Sequence, residues 1–264
     1  MKAYDFFYDG KNLSDFGFIV CNFGDKGLDT VSDGCQISFN TIPVLGGAKS
    51  ELTSAQYEDC LETTIQICKH SCNGGVQEVN VAEHRNLTRW LNRKKFLKFK
   101  PLSEEYIDLY FEASFNISRI ELDGRLFGFE LEVVTNRPFA LKEPRVINIK
   151  NLVQNGSHSI NDTSHEEGYI YPHTEIIISQ NGNLKIHNAI ENRDTYIANC
   201  VAGEVITMDY PVIQSSISSH NIQNDFNWNF LRLSNTFKKD LNTLTISLPC
   251  TITLKYSPTI KVGL

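Results

Sequence analysis

The sequence predicts a mainly β protein of two domains with one helix of about three turns. Three observations carry that prediction. Apolar residues recur at every second position over most of the chain, which is the period of half-buried strands. The segment 81–93 follows the helical period instead. The chain's 264 residues exceed the usual size of one domain, and Pro138 and Pro144 mark a change of texture, so domains of 1–140 and 141–264 are expected, with the boundary near 138–145.

The elements follow in order. Tyr8-Asp9-Gly10 ends a short aromatic strand, and Phe16, Phe18 and Val20 begin another. Ile37, Phe39 and Thr41 alternate, and so do Leu61, Thr63, Ile65 and Ile67. Between them, Leu45-Gly46-Gly47-Ala48-Lys49-Ser50 reads as a loop joining two strands, because its spacing is not that of a phosphate-cradling glycine loop. In the helix, Val81, Leu87, Trp90 and Leu91 share an apolar face. Asn80 is placed to cap its start, with Glu83 as capping-box partner. The clearest strand then sets Ile107, Leu109, Phe111, Ala113, Phe115 and Ile117 on one face and Tyr106, Asp108, Tyr110, Glu112, Ser114 and Asn116 on the other. Asp123-Gly124 signals a turn into Phe127, Phe129, Leu131 and Val133.

In the second half, the polar stretch 151–168 reads as a long loop. Ile176-Ile177-Ile178 and Leu184-Lys185-Ile186 flank Asn181-Gly182, a type I′ hairpin signal. Strands are expected at 196–200, 205–209, 226–233, 243–248 and 251–256, with Trp228 in the core because it alternates with Phe226 and Phe230. Short strands with turns between them are the pattern of a β-sandwich.

Composition excludes several functions. A net charge of −6 gives no general affinity for nucleic acid. The one basic run, 85–100, interleaves Arg85, Arg89, Arg93, Lys94, Lys95, Lys98 and Lys100 with Trp90, Phe96 and Phe99; it reads as the solvated flank of the helix and the next strand. No apolar run is long enough to cross a membrane, and the N-terminus lacks a secretory pattern, so synthesis and folding in a cytosol are expected. Seven cysteines, scattered and odd in number, suit reduced thiols. Cys68-x-x-x-Cys72, with His70 and His84, lacks the second ligand pair of a zinc site and reads as a strand end followed by the Cys72-Asn73-Gly74-Gly75 turn. Glu104-Glu105 and Glu166-Glu167 read as solvated surface, and no hydrolase motif frames any Ser, Cys or His. No catalytic, metal or cofactor residue is expected, and no enzyme activity.

Several ordered motifs carry a resemblance. They are Tyr8-Asp9-Gly10 followed by Ser14-Asp15-Phe16-Gly17-Phe18-Ile19-Val20; the helix motif Thr88-Arg89-Trp90-Leu91; Gly128-Phe129-Glu130-Leu131-Glu132-Val133 running into Arg137-Pro138; Gly203-Glu204-Val205-Ile206-Thr207-Met208-Asp209; and Phe230-Leu231-Arg232-Leu233, then Asn242-Thr243-Leu244-Thr245-Ile246. In this order the chain resembles the distal tail proteins of long-tailed phages. Phe237-Lys238-Lys239-Asp240 departs from it, standing where many members have a Pro-Gly or Gly-Asn turn.

The resemblance implies an N-terminal β-barrel-like domain with a helix and a β-hairpin, and a C-terminal galectin-like β-sandwich, with residues 258–264 returning to the first domain. It implies a homohexameric ring at the virion tail tip, made and assembled in the bacterial host's cytoplasm, with a channel for DNA and the tape-measure protein. That ring would join the major tail tube protein to the baseplate hub, the tail-associated lysin or fibre protein and a receptor-binding protein. Ring closure needs a head-to-tail interface, for which edge strands and hairpins are suited; its expected contacts are the even face of 106–116, with Tyr106 and Tyr110, and the hairpin-like region Cys35–Ile42, with Gln36 and Ser38. A carbohydrate-binding adhesion module, using Tyr169, Tyr171, His173 and Trp228, is the alternative expectation.

Overall fold

The computed structural model describes residues 3–23, 34–58, 60–69, 77–236 and 241–264. His70, the Cys72-Asn73-Gly74-Gly75 turn and Phe237-Lys238-Lys239-Asp240 lie outside them. The chain divides into two compact units, Met1–Leu141 with Ile260–Leu264, and Lys142–Thr259.

In the first unit the strands Lys11–Asn12, Phe6–Tyr8, Leu97–Pro101, Leu109–Leu122, Arg125–Thr135, Glu62–Lys69 and Phe18–Cys21 lie side by side in that order, each antiparallel to its neighbour. The Val20 N–H donates to the Tyr4 carbonyl at 3.0 Å, which returns the last strand to the chain entering Phe6–Tyr8 and curls the sheet into a barrel-like form. Ala140–Lys142 pairs with Leu109–Leu122 and with Thr259–Ile260. The inward residues Phe6, Tyr8, Phe99, Phe111, Phe115, Phe129 and Leu131 form one apolar core, which Ile260 and Leu264 join. Asp123 and Gly124 take φ 51° and 76°, the two positive values a type I′ turn requires, and close the tight hairpin of the two longest strands.

The helix spans Val81–Leu91, and the Asn80 side chain accepts from the Glu83 N–H while Glu83 reaches back to the Asn80 N–H. Leu87, Trp90 and Leu91 are buried, but Val81 is 65% exposed. Val81 occupies the first turn, whose free N–H groups face solvent and the cap.

A second difference concerns Tyr106. It lies in the 3-10 turn Glu104–Tyr106, ahead of the strand, which starts at Leu109. A 3-10 turn advances each side chain by about 120° rather than by the half-turn of a strand. Tyr106 is therefore swung inward to 3% exposure, its hydroxyl donating to the Gly263 carbonyl, while Ile107 points to solvent.

In the second unit, Arg145–Asn151, Cys250–Tyr256, His173–Ile178, Val205–Asp209 and Val212–Ser215 form one sheet, and Gly156–Asn161, Leu241–Ile246, Gly182–Asn188 and Arg193–Cys200 another. Ile149, Ile176, Ile206, Ile252 and Leu254 of the first share a core with Ile160, Leu184, Ile186, Ile197, Leu244 and Ile246 of the second, so the unit is a β-sandwich. Three expectations are corrected. His173–Ile178 and Gly182–Asn188 belong to different sheets, so Asn181-Gly182 makes a crossover and not a hairpin; Gly182 has φ 153° and the Asn181 side chain accepts from the Ala202 N–H. The stretch 151–168 contains the strand Gly156–Asn161, anchored by buried Ile160 and paired to Leu241–Ile246. The stretch 226–233 is irregular apart from the isolated bridge of Phe226 to Ile197 and the start of Leu233–Asn235. Within it, Trp228 adopts φ 59° and is 55% exposed. The positive φ breaks the alternation, turning Trp228 outward while Phe226 and Phe230 stay buried.

Candidate assembly surface

The strands Ile37–Pro43 and Ser50–Tyr57 pair with each other and, among the described residues, with no other strand. They form a two-stranded ribbon whose outer edges carry unsatisfied ladder groups, a ready template for another chain. Register fixes its faces. Opposed residues point to the same side, so Ile37 and Tyr57, Phe39 and Ala55, Thr41 and Leu52 share one face. Ser38 and Gln56, Asn40 and Ser54, Ile42 and Glu51 share the other. A bulge between Asn40 and Thr41 keeps this sidedness, and the Thr53 hydroxyl bonds back to the Asn40 carbonyl. The polar face is knit by Asn40 Nδ2 to Ser54 Oγ at 2.9 Å, and Lys49 pairs with Glu51 at the tip. On the apolar face, Phe39 is 63% and Leu52 57% exposed. At the ribbon's base the Tyr57 ring meets Phe139 edge-on, and the Glu58 N–H donates to the Gln36 carbonyl.

The expected contact residues are distributed unevenly. Gln36 is exposed and Ser38 half-buried, on the polar side of the ribbon. Tyr110 is half-buried on the outer face of its strand, with the Lys98 ammonium 4.6 Å from its ring centroid. Tyr106 is not on that face, and its burial removes it from any contact with another subunit. Ile37 and Phe39 lie within the expected contact stretch 35–42, whereas Leu52, on the partner strand, was missed; no alternation was read over 50–57.

Of the helix motif, Arg89 is exposed, whereas Trp90 and Leu91 are core. Trp90 stacks on Phe16 at 4.4 Å and on Phe6 at 5.9 Å, and its indole N–H donates to the Tyr8 carbonyl at 2.9 Å. The motif therefore holds the helix against the sheet.

Other polar groups are built into the fold. Glu204 is fully buried; burial favours its neutral form, but donors at Ser215 Oγ, the Val201 N–H and His220 hold its carboxyl below the usual range. His220 Nδ1 lies 2.5 Å from Glu204 and its Nε2 3.3 Å from Asp225. Burial pushes the thiols of Cys200 and Cys250 up to about 11 and about 12, and no disulfide joins the described cysteines. No three His, Cys, Asp or Glu side chains converge on a metal-sized site among the described residues. Of the aromatic residues in the second unit, Tyr169 and Trp228 are exposed, Tyr171 stacks on Tyr210, and His173 stands opposite Lys255 in the five-stranded sheet.

Two family models match the chain: a phage tail protein N-terminal domain over residues 1–137 and a phage tail C-terminal domain over residues 139–256. No curated protein matches it. Among solved structures, the fold is similar to that of the Dit protein (gp 19.1) of SPP1, described as a paradigm of the hub adsorption apparatus in phages infecting Gram-positive bacteria. The TM-score is 0.66 at 11% identity, covering 97% of this chain and 99% of that one. With both domain models matched in order over nearly its whole length, the chain belongs to this phage tail protein family and is a structural component of a phage tail.

Proposed function

We propose that six copies close into a ring at the distal end of a long phage tail, and that the ring links the tail tube to the baseplate hub and host-adsorption apparatus. Its partners would be a second copy of itself, the major tail tube protein, the tail-associated lysin or fibre hub, and a receptor-binding protein. It would act as a connector without catalysis.

The observation that carries this reading is the ribbon. A lone two-stranded ribbon is marginal in water, and one with an exposed face of Ile37, Phe39 and Leu52 gains by burying it. Docked on a different patch of the next copy, the same contact repeats around a rotation and closes. Tyr110 and the polar pair Gln36 and Ser38 would border that contact. The similarity in fold to the SPP1 hub protein and the phage tail family support the placement.

Gold-labelled antibody against the chain, applied to intact virions, tests the location. Label confined to the tail end farthest from the head is expected. Label along the tube, or none on virions, overturns it.

A further inference from the structure

We infer that Cys21 and Cys68 form a reversible disulfide, closed by a small-molecule disulfide once the chain leaves the reducing cell, and that it ties together the two strands from which the ribbon springs. The strand Phe18–Cys21 lies antiparallel to Glu62–Lys69, with Ile19 opposite Cys68 and Cys21 opposite Gln66. Opposed residues point to the same side, so both cysteines stand on one face as diagonal neighbours. The alternate residues Phe18, Ile65 and Ile67 fill the barrel core, which puts the thiols on the outer face. The two thiols are hydrogen-bonded to each other; burial first, and that bond second, push the Cys21 thiol up.

Their surroundings set the order of events. Cys21 is half-buried and ends its strand, whereas Cys68 is only 6% exposed. Gly128 stands opposite Cys68, and the Phe23 ring lies where a Gly128 side chain would, beside the deeper thiol. The Cys21 thiolate attacks a sulfur of the incoming disulfide, forms a mixed disulfide and expels one thiolate. The Cys68 thiolate then attacks the Cys21 sulfur and expels the second. Two electrons pass to the small molecule, which departs as two thiols carrying the protons of the two cysteines. With its acidity suppressed, Cys21 is seldom a thiolate and exchange is slow, which suits a lasting link and not a catalytic cycle. Diagonal neighbours of a regular sheet lie about 7–8 Å apart, beyond the about 6.8 Å that a relaxed cystine spans. Cys21, at the end of its strand, must close that gap, and a bond held under strain is the more easily reduced.

The link falls where it constrains the chain most. Both strands of the ribbon lie between Cys21 and Cys68 in sequence. The bond therefore closes a loop of about 50 residues around the ribbon, and long loops lose the most freedom on closure. Thiols are kept reduced in a cytosol and oxidise outside it, and a tail component meets both conditions. The ribbon's roots are free to adjust while the chain folds and assembles, and are fastened after release. Cys200 and Cys250, each 2% exposed or less, are out of reach of a small disulfide and stay thiols.

The test equilibrates the full, reduced chain in glutathione buffers stepped from wholly reduced to wholly oxidised, alkylates the remaining thiols in denaturant, and reads unreduced peptides by mass spectrometry. In oxidised buffer a peptide pair joined through Cys21 and Cys68, two hydrogens lighter than its parts, is expected, with Cys200 and Cys250 recovered alkylated. Return to reduced glutathione should open it. Cys68→Ser should stop at the mixed disulfide, with glutathione held on Cys21, and Cys21→Ser should leave Cys68 unmodified. Both cysteines recovered alkylated after oxidised buffer, Cys21 joined to any other cysteine, or a bond that reduced glutathione fails to open overturns the inference. Neither thiol lies on the ribbon, so Phe39→Asp should oxidise as wild type does, which separates failure here from failure of the ring.

Discussion

Two hairpins of the first unit carry the same pattern and meet opposite fates. The Leu109–Leu122 and Arg125–Thr135 pair turns Phe111, Phe115, Phe129 and Leu131 into the barrel core, each at 3% exposure or less. The Ile37–Pro43 and Ser50–Tyr57 pair turns Phe39 and Leu52 to solvent, each more than half exposed. Alternation tells which face of a strand is apolar; it is silent on what covers that face. In the first hairpin the cover is the same chain. In the second, no other strand among the described residues pairs with it, and in the proposed ring a neighbouring copy supplies the cover.

The largest effect should fall on the covered hairpin. Phe111→Ala empties a packed site and should cost about 3–5 kcal/mol in denaturant unfolding, enough to unfold much of the first unit. A cost below about 1 kcal/mol would show that this face is not the core. Trp90→Phe sharpens the same side of the comparison. It keeps the stacking but leaves the Tyr8 carbonyl without its donor, with an expected cost of about 1–3 kcal/mol by the same measurement.

Acid separates the two units. The Glu204 pKa is depressed in the folded protein, so its stabilisation is present above the ordinary carboxylate range near pH 4.3 and is lost as pH falls through the folded value. Glu204→Gln should flatten that dependence in the second unit's unfolding curve, measured from about pH 3 to 7. No carboxylate or histidine stands on the apolar face of the ribbon, so assembly should hold steady between about pH 5 and 8. The smallest effect on stability, within about 0.5 kcal/mol, belongs to Phe39→Asp, which should nevertheless abolish assembly.

Most of the fold was legible because local chemistry and tertiary structure agree. Asp123-Gly124 is a hairpin turn since its strands share a sheet, and Asn80 with Glu83 caps the helix as the spacing dictates. Legibility failed where tertiary context overrode a local signal. Asn181-Gly182 has the same turn chemistry, yet Ile176 and Leu184 belong to different sheets that share one core, and the chain must cross between them. Tyr106 and Trp228 were misassigned for one reason: each lies outside a regular strand, where alternation no longer sets the side chain's direction. Within the assembly surface, the ribbon was visible in the sequence, but its working face was not. The stretch 35–42 was expected to make contacts, with Gln36 and Ser38 singled out, while the exposed apolar side chains in it are Ile37, Phe39 and Ile42.

Native mass spectrometry at micromolar concentration tests the central claim most directly, by weighing wild type beside Phe39→Asp. The account predicts a discrete species of six times the 30.0 kDa chain mass for wild type and single chains for the variant. Wild type found only as single chains, or a variant that assembles as wild type does, would contradict it.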